Sequence, residues 1–345
     1  MKIFLILLSW RVQPLALPVK GIRMSPFDDI RKLVENLPPS DLTKTEVLQE
    51  RIGKTRQSLE PLGGLGGAVS WLAQWQQAET PMIANPLVGV FIGTHDVARY
   101  VLEADPVQGA KTRFAEISRG HSGIRGIAGA ESAIFKVYEM GLEVPSKDMR
   151  TQASLTEREC AAAIAYGMEI VVDEPDIIAI GDAGFGSATA AAGIARALYG
   201  GASGYWAGGE GATARRRIEA VEQAAQTHKA VLDDPLEVLR CFGGRDIAGI
   251  FGALLAARHQ KIPVLLDGYV VCAAAAVLHA LNPSAIDHCL AAHISVEPAH
   301  AALLDRIGKT ALLDFGLGIG DGSGAAMTIG VVRAACAGAR ELLKG

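Results

Sequence analysis

The sequence predicts an α/β protein built around a parallel sheet. Apolar runs typical of buried strands alternate along the chain with segments of helical periodicity, and this alternation indicates βαβ units. Half of the 345 residues are hydrophobic, only 6% are aromatic, and 39 are glycine. The many glycines and the few aromatic side chains favour close packing of helices on a sheet over a β-sandwich.

The predicted elements follow one another in a regular order. Residues 25–80 are predicted to be helical, and the polar stretch 41–62 has Ser40 or Asp41 as its cap after Pro38-Pro39. Strands are predicted at 86–91, 133–140, 175–180, 262–267 and 291–295. Helices are predicted at 155–171, 188–199, 215–232, 245–260 and 270–281.

Residues 1–23 precede a second Met at position 24 and contain one short apolar run, IFLILL. This run is too short to span a bilayer and is at the lower limit for the core of a signal peptide. No small-x-small cleavage site follows it. We therefore expect an ordinary start at Met24, with residues 1–23 as a non-functional extension. Export is the alternative.

Charge and cysteine usage narrow the function classes. The net charge of −4 argues against a nucleic-acid-binding protein, which is usually basic. The cysteines are odd in number and form no C-x-x-C motif, so neither a disulfide framework nor a zinc site is expected. A reducing compartment fits this usage. We expect small buried hydrophobic side chains at all five positions, 160, 241, 272, 289 and 336.

The loops after the predicted strands are where a parallel sheet binds its ligands. One of them, GDAGFGSAT at 181–189, leads into an alanine-rich helix. Backbone N–H groups and the positive end of a helix converge on phosphate in such a loop, and Ser187 and Thr189 add hydroxyls. The loop is neither a Walker motif nor a clean G-x-G-x-x-G. A phosphate site and a tight turn capped by Ser187 both explain it.

Other strand ends also carry polar side chains. Thr94, His95 and Asp96 follow the first strand, and Asp267 at the end of the fourth could hold a substrate hydroxyl or order a neighbouring loop. A second glycine cluster at 199–211 leads into three arginines, and a guanidinium there could bind phosphate through two hydrogen bonds. A solvated basic turn explains at least two of these arginines, which are Arg215, Arg216 and Arg217.

Three side chains in and just after the fifth strand have the chemistry of metal ligands: His293, Glu297 and His300. Pro298 interrupts the chain between them, so the helical spacing that would bring them together is not available. A metal site is therefore not favoured.

The stretch LLDFGLGIGDGSGAA, residues 312–326, contains two different acids. Asp314 ends an apolar run, whereas Asp321 lies between Gly320 and Gly322, just before a helix that begins near Ser323. Glycine lets the backbone approach a ligand closely, so Asp321 could be a base directed at a substrate. An Asp that only caps the following helix explains the same pattern.

Long stretches at 234–289 and 293–326, including DPLEVLRCFGGRDIAG and GLGIGDGSGAA, resemble the nicotinate-nucleotide:dimethylbenzimidazole phosphoribosyltransferase family. The likeness runs from about Ser25 to the C-terminus. It implies a three-layer α/β fold, with helices on both faces of a parallel sheet. It also implies a smaller helical part, formed by residues 24–80 and the C-terminal helix, beside a core at 81–325. A cytoplasmic homodimer is the expected assembly.

The family transfers phosphoribose from nicotinate mononucleotide to a benzimidazole nitrogen, releasing nicotinate and inverting the anomeric carbon. The product, α-ribazole 5′-phosphate, enters the nucleotide loop of cobalamin. The resemblance implies that no metal is needed. We also expect no cofactor, no nucleic-acid partner and no membrane. The family's base is a Glu in a G-E-G-x-G-A motif, and Asp321 takes its place in GDGSGAA. Gly320 and Gly322 would let the acceptor base approach that carboxylate.

The family's G-E-M-G-I-G-N-T-T corresponds to GDAGFGSAT. The resemblance therefore assigns the nucleotide to this loop, with Asp182 in place of Glu and Ser187 in place of Asn. A family Lys corresponds to Arg217. The residues expected to bind the nucleotide are Asp182, Gly184, Gly186, Ser187, Thr189 and Arg217.

The acceptor pocket departs further from the family. The family's H-G-V reads His95-Asp96-Val97, its G-G-A-A-I-N reads GHSGIR at 120–125, and Thr112 stands where T-A-Q-M has Gln. The second glycine loop is also shorter. These departures indicate an altered acceptor base or a non-catalytic paralog that binds a nucleotide or a partner subunit. A Rossmann-like dehydrogenase is disfavoured, because no acid follows a glycine fingerprint at an offset of about 20 residues.

Overall fold

A six-stranded parallel sheet forms the centre of the described part of the chain. The computed structural model describes residues 25–39, 43, 46–47, 50, 59 and 62–342. The strands are β1 Pro86–Ile92, β2 Ile134–Glu139, β3 Ile177–Asp182, β4 Val264–Leu266, β5 Cys289–Ser295 and β6 Ala311–Leu317. In the sheet they lie in the order β2-β1-β3-β4-β5-β6. Five were predicted at these places. The edge strand β6 was not.

Helices connect the strands and cover both faces of the sheet. Up to β3 they are α1 Pro26–Glu35, α2 Gly64–Gln76, α3 Ala98–Val101, α4 Pro106–Arg119, α5 Gly123–Ala130 and α6 Glu157–Gly167. After β3 come α7 Ser187–Tyr199, α8 Ser203–Ala207, α9 Gly211–Thr227, α10 Pro235–Phe242 and α11 Arg245–Gln260. The last three are α12 Gly268–Leu281, α13 His300–Arg306 and α14 Ser323–Leu342.

Alternate residues of the buried strands enter two separate apolar cores. In β3, Ile178 and Ile180 pack with helices α6, α7, α11 and α12 on one face. Ile177 and Ala179 pack with α2, α5 and α14 on the other face. This side-chain period of two is the normal result of the β pleat. It confirms the predicted three-layer fold.

Helix α14, near the C-terminal end, packs against α2 and α5 on one face of the sheet. Helix α1 packs against α6, and its buried side chains belong to the core on the opposite face. The expected helical part formed by residues 24–80 and the C-terminal helix, beside a core at 81–325, stays a prediction. Residues 1–23, the cap at Ser40 or Asp41, and most of the helix predicted at 41–62 lie outside the described residues. The five cysteines are buried and free of disulfides, which confirms the expectation for them.

Candidate active site

The candidate site lies at the carboxyl edge of the sheet, where the loops after β3, β4 and β6 meet. The N–H of Asp182, at the end of β3, donates to Gly320 O at 2.7 Å. A Cβ on Gly268, just after β4, would lie 3.2 Å from Gly320 Cα. The glycine segment around Asp321 thus fits between the ends of two central strands, in the crevice where sheets of this kind bind ligands.

Asp182 holds the glycine loop after β3 together. Its Oδ1 accepts hydrogen bonds from Gly184 N–H at 3.1 Å and from the Ser187 hydroxyl at 2.5 Å. Its Oδ2 is buried and has no hydrogen-bond partner among the described residues. Burial, with the nearby charge of Asp246, raises the pKa of the Asp182 carboxyl well above its usual range. A protonated Oδ2 would be a hydrogen-bond donor beside the loop.

His95 and Asp246 form a buried pair next to this loop. His95 Nε2 donates to the two carboxylate oxygens of Asp246 at 3.0 and 2.9 Å. Burial opposes both charges, but the attraction and hydrogen bond between them raise the pKa of His95 and lower that of Asp246. His95, which the resemblance assigns to the acceptor pocket, therefore has its Nε2 engaged within the protein.

The N-terminus of α7 has no side-chain cap. Gly186 is the N-cap residue, with φ of 96°, and Ser187 is the first helical residue. The prediction of Ser187 as a cap is therefore wrong, because Gly186 takes the cap position and the Ser187 hydroxyl lies 2.5 Å from Asp182 Oδ1 and 3.1 Å from Gly184 O. Thr189 is buried within the first turn. The uncapped N–H groups and the helix dipole together favour an anion at this end.

Asp321 is half-buried, and its Oδ1 accepts a hydrogen bond from Ser323 N–H at 3.1 Å, at the start of α14. The capping contact of the alternative interpretation is therefore present. Burial raises the pKa of the Asp321 carboxyl, the charge of Asp267 adds to the rise, and the hydrogen bond from Ser323 opposes it. The carboxylate thus holds a proton more tightly than an exposed Asp does.

Arg217 joins the second glycine loop to the loop after β5. Its Nε donates to Ala207 O at 3.0 Å and its Nη2 to Gly208 O at 2.6 Å. The same Nη2 lies 2.7 Å from Glu297 Oε1. Arg217 is therefore engaged with Glu297, and a bound anion would compete with that carboxylate for the guanidinium.

Helix α4 reaches the glycine loop through Arg113 and not through Thr112. Thr112 is exposed, and its hydroxyl donates to Gln108 O within the same helix at 2.9 Å. Arg113 donates to Gly184 O at 2.6 Å, and its guanidinium lies 5.0 Å from the centre of the Phe185 ring. The structure thus brings Arg113, which the sequence analysis missed, to the glycine loop, whereas Thr112, expected in the acceptor pocket, bonds within its own helix.

The sequence analysis also missed Asp246. Its place in GGRD, at the start of a helix, was a usable signal because acidic side chains favour helix N-termini.

Among the described residues, no group of three or more His, Cys, Asp or Glu side chains is arranged to hold a metal ion. In the same ranges, no helix combines the length and the apolar character needed to cross a membrane.

Comparisons with known proteins agree with this architecture. Residues 37–344 match a family model described as phosphoribosyltransferase. The nicotinate-nucleotide–dimethylbenzimidazole phosphoribosyltransferases of Brucella canis and Brucella abortus are each 44% identical over 314 residues, which cover 90% of this chain and 93% of theirs.

A solved structure is similar as well. The crystal structure of the nicotinate-nucleotide–dimethylbenzimidazole phosphoribosyltransferase from Thermus thermophilus has a TM-score of 0.80 and 27% sequence identity. The match covers 87% of this chain and 95% of that one. The chain therefore belongs to the nicotinate-nucleotide–dimethylbenzimidazole phosphoribosyltransferase family.

Proposed function

We propose that this protein transfers phosphoribose from nicotinate mononucleotide to 5,6-dimethylbenzimidazole or a related base, giving α-ribazole 5′-phosphate and nicotinate. It is a pentosyltransferase that acts in assembly of the nucleotide loop of cobalamin. The observation that carries the proposal is the half-buried carboxylate of Asp321, on a glycine segment that is hydrogen-bonded to Asp182, the last residue of the strand that leads to the uncapped N-terminus of α7. The Brucella relatives, which bear the name of an enzyme, favour an active transferase over a non-catalytic paralog.

Each part of the site has a task in this reaction. The nucleotide phosphate binds at the N-terminus of α7, near Gly184 and Gly186. Asp321 removes the N–H proton of the acceptor, and a ring nitrogen bonds to the anomeric carbon. The bond from that carbon to nicotinate breaks, and its electron pair stays on the nicotinate nitrogen. No metal takes part, because the pyridinium ring of the nucleotide is already a good leaving group.

The acceptor is placed beside Gly320 and Gly322, with Arg113 and Phe185 at the side that Thr112 was expected to form.

We also propose a cytoplasmic homodimer. Exposed apolar side chains beside the edge strand β6 support a partner there, since Val296 is 61% exposed, Phe315 52% and Ile319 58%. Large exposed apolar groups that lie together commonly mark interfaces.

The direct test is incubation of the purified protein with nicotinate mononucleotide and a panel of benzimidazoles and phenols, following nicotinate release. Release that depends on an acceptor, with formation of the matching α-ribotide, supports the transfer. Binding of the nucleotide with no release for any acceptor would instead support the non-catalytic paralog.

Gly186→Val is expected to abolish binding of nicotinate mononucleotide. A Cβ at this position would lie 3.0 Å from His95 Cβ and 3.1 Å from Ala98 Cβ, on a backbone with φ of 96° that strains a β-branched residue. The first turn of α7 must then move. Thermal-shift titration with the nucleotide measures the loss. Gly126→Val, whose Cβ would meet nothing within 4 Å, is the control. An undiminished shift in Gly186→Val would contradict the phosphate site.

Arg217→Ala is expected to weaken nucleotide binding roughly tenfold or more, since a hydrogen bond to a charged group contributes about 1.5–3 kcal/mol. Affinity for the acceptor base should not change. Arg216→Ala is the matched control, because Arg216 donates to Val101 O and pairs with Glu103 instead. Calorimetric titration of each ligand provides the measurement. Equal losses for both ligands would mean that Arg217 acts on folding and not on the phosphate.

A further inference from the structure

A buried pair of charged side chains, Asp267 and His293, lies next to Asp321 and has no task in the reaction as proposed. Asp267 directly follows β4, and His293 is on β5. His293 Nε2 lies 3.1 Å from Asp267 Oδ1, and both side chains are fully buried. Nδ1 of His293 lies 3.1 Å from Ile294 O. Since a carboxylate and a carbonyl can only accept, hydrogen bonds from both ring nitrogens at once require the imidazolium form of His293.

The carboxylate of Asp267 holds the backbone on the far side of Asp321. Its Oδ2 accepts from Gly322 N–H at 2.8 Å, and its Oδ1 accepts from Ala325 N–H at 2.6 Å. These N–H groups belong to the start of α14, where a negative charge also interacts favourably with the helix dipole. Gly322 has φ of 98°, a conformation that needs glycine. Asp267 thus keeps in place the residue that follows Asp321.

The same carboxylate acts on Asp321 through its charge. Burial is the larger cause of the raised pKa of Asp321, and the negative charge of Asp267 raises it further. The imidazolium form of His293 would carry the opposite charge. Burial alone would lower the pKa of His293, but the hydrogen bond and charge of Asp267 outweigh burial and raise it.

The elements packed around this point bring other titratable groups. Asp182 ends β3, and Asp314 on β6 adds to the rise in the pKa of His293. The ring of His300 lies 6.4 Å from the ring of His293. Burial lowers the pKa of His300 to about 4, so His300 is neutral near pH 7 and does not compete for Asp267.

We propose that Asp267 and His293 form a buried ion pair that positions Asp321 and sets its strength as a base. This inference rests on the transfer proposed above, and it makes the pair positioning residues for the proton-accepting step. The two members act on Asp321 in opposite directions. Asp267 strengthens the base, whereas His293 limits that effect by offsetting part of the negative charge.

The test compares Asp267→Asn with His293→Gln in nicotinate release, measured against pH with both substrates saturating. Asp267→Asn removes a negative charge, so the acidic limb of the profile should move to lower pH. The plateau should fall about 10²-fold, because a base displaced by about 1 Å loses that much. His293→Gln keeps an N–H donor to Asp267 but removes the positive charge, so its acidic limb should move to higher pH. A merely structural pair would move neither limb, and limbs that stay in place or move together would overturn the proposal.

A second readout needs no activity. In protein labelled with ¹⁵N-histidine, the wild-type signals of His293 should show both ring nitrogens protonated at pH 7.5, and they are assigned by their absence in His293→Gln. If that variant does not fold, the signal that changes in Asp267→Asn assigns the ring. A neutral His293 would overturn the ion pair even if transfer proceeds. Absence of transfer by the wild type, with a protonated His293, would instead contradict the proposed function.

Discussion

Asp321→Asn is expected to lower the rate of phosphoribosyl transfer by about 10²–10⁴-fold, which is the usual contribution of a general base. The amide keeps the shape of the side chain and the hydrogen bond from Ser323 N–H, but it cannot accept the acceptor's proton. Burial and the charge of Asp267 raise the pKa of Asp321, so the wild-type rate should increase as pH rises through that raised pKa. The Asn variant should lack this increase of rate with pH. Initial rates of nicotinate release across pH provide the measurement.

Asp321→Glu serves as the partner variant because it keeps a carboxylate and lengthens the side chain by one methylene, roughly 1.5 Å. We expect it to retain transfer, since proton transfer requires a heavy-atom distance of about 2.6–3.2 Å and the longer side chain reaches further. Nucleotide binding, followed by thermal shift, should be the same in all three proteins. Equal rates for the wild type and Asp321→Asn would remove Asp321 from the mechanism.

Strand burial decided which parts of the fold were predictable from sequence. Strands β1 and β3 are buried along their whole length, so, apart from Asp182 at the end of β3, they consist of apolar residues and glycine that mark them clearly. The edge strand β6 has no fully buried residue and contains the exposed residues Asp314 and Gly316. These residues interrupt the apolar pattern, and Asp314 was therefore interpreted as the end of an apolar stretch when it lies inside a strand.

Sequence distance decided what could be predicted of the candidate site. Residues 181–189 form one continuous loop, so the sequence shows the glycines, Asp182 and the helix start together. The pair His95–Asp246 joins positions 151 residues apart, and no local pattern indicates it. The hydrogen bond from Gly322 N–H to Asp267 likewise exists only after β4 and β6 have entered the same sheet. The family resemblance indicated Asp321 as the base, whereas the hydrogen bonds that hold its segment are seen only in the folded structure.

Gly181→Ala is expected to displace Asp321 and lower the transfer rate by about 10²-fold, the loss that follows a shift of about 1 Å in a reacting group. Gly181 is the penultimate residue of β3 and pairs with Val90 of β1. A Cβ there would overlap Gly322 N and the carbonyl carbon of Asp321. These are backbone atoms, so no side-chain rotation relieves the overlap, and the peptide after Asp321 must move away from the strand.

The controls for Gly181→Ala separate displacement of the base from loss of the fold. Gly126→Ala, in α5, adds the same methyl group where nothing lies within 4 Å, and it should keep the wild-type rate. Overpacking at Gly181 should also cost about 1–3 kcal/mol of stability, which thermal unfolding measures. Assays are therefore run well below the melting temperature, where both variants are folded. Because the contact is with the base segment, the loss should appear in kcat more than in nucleotide affinity. A folded Gly181→Ala protein with the wild-type kcat would contradict the assignment of Asp321 as the base.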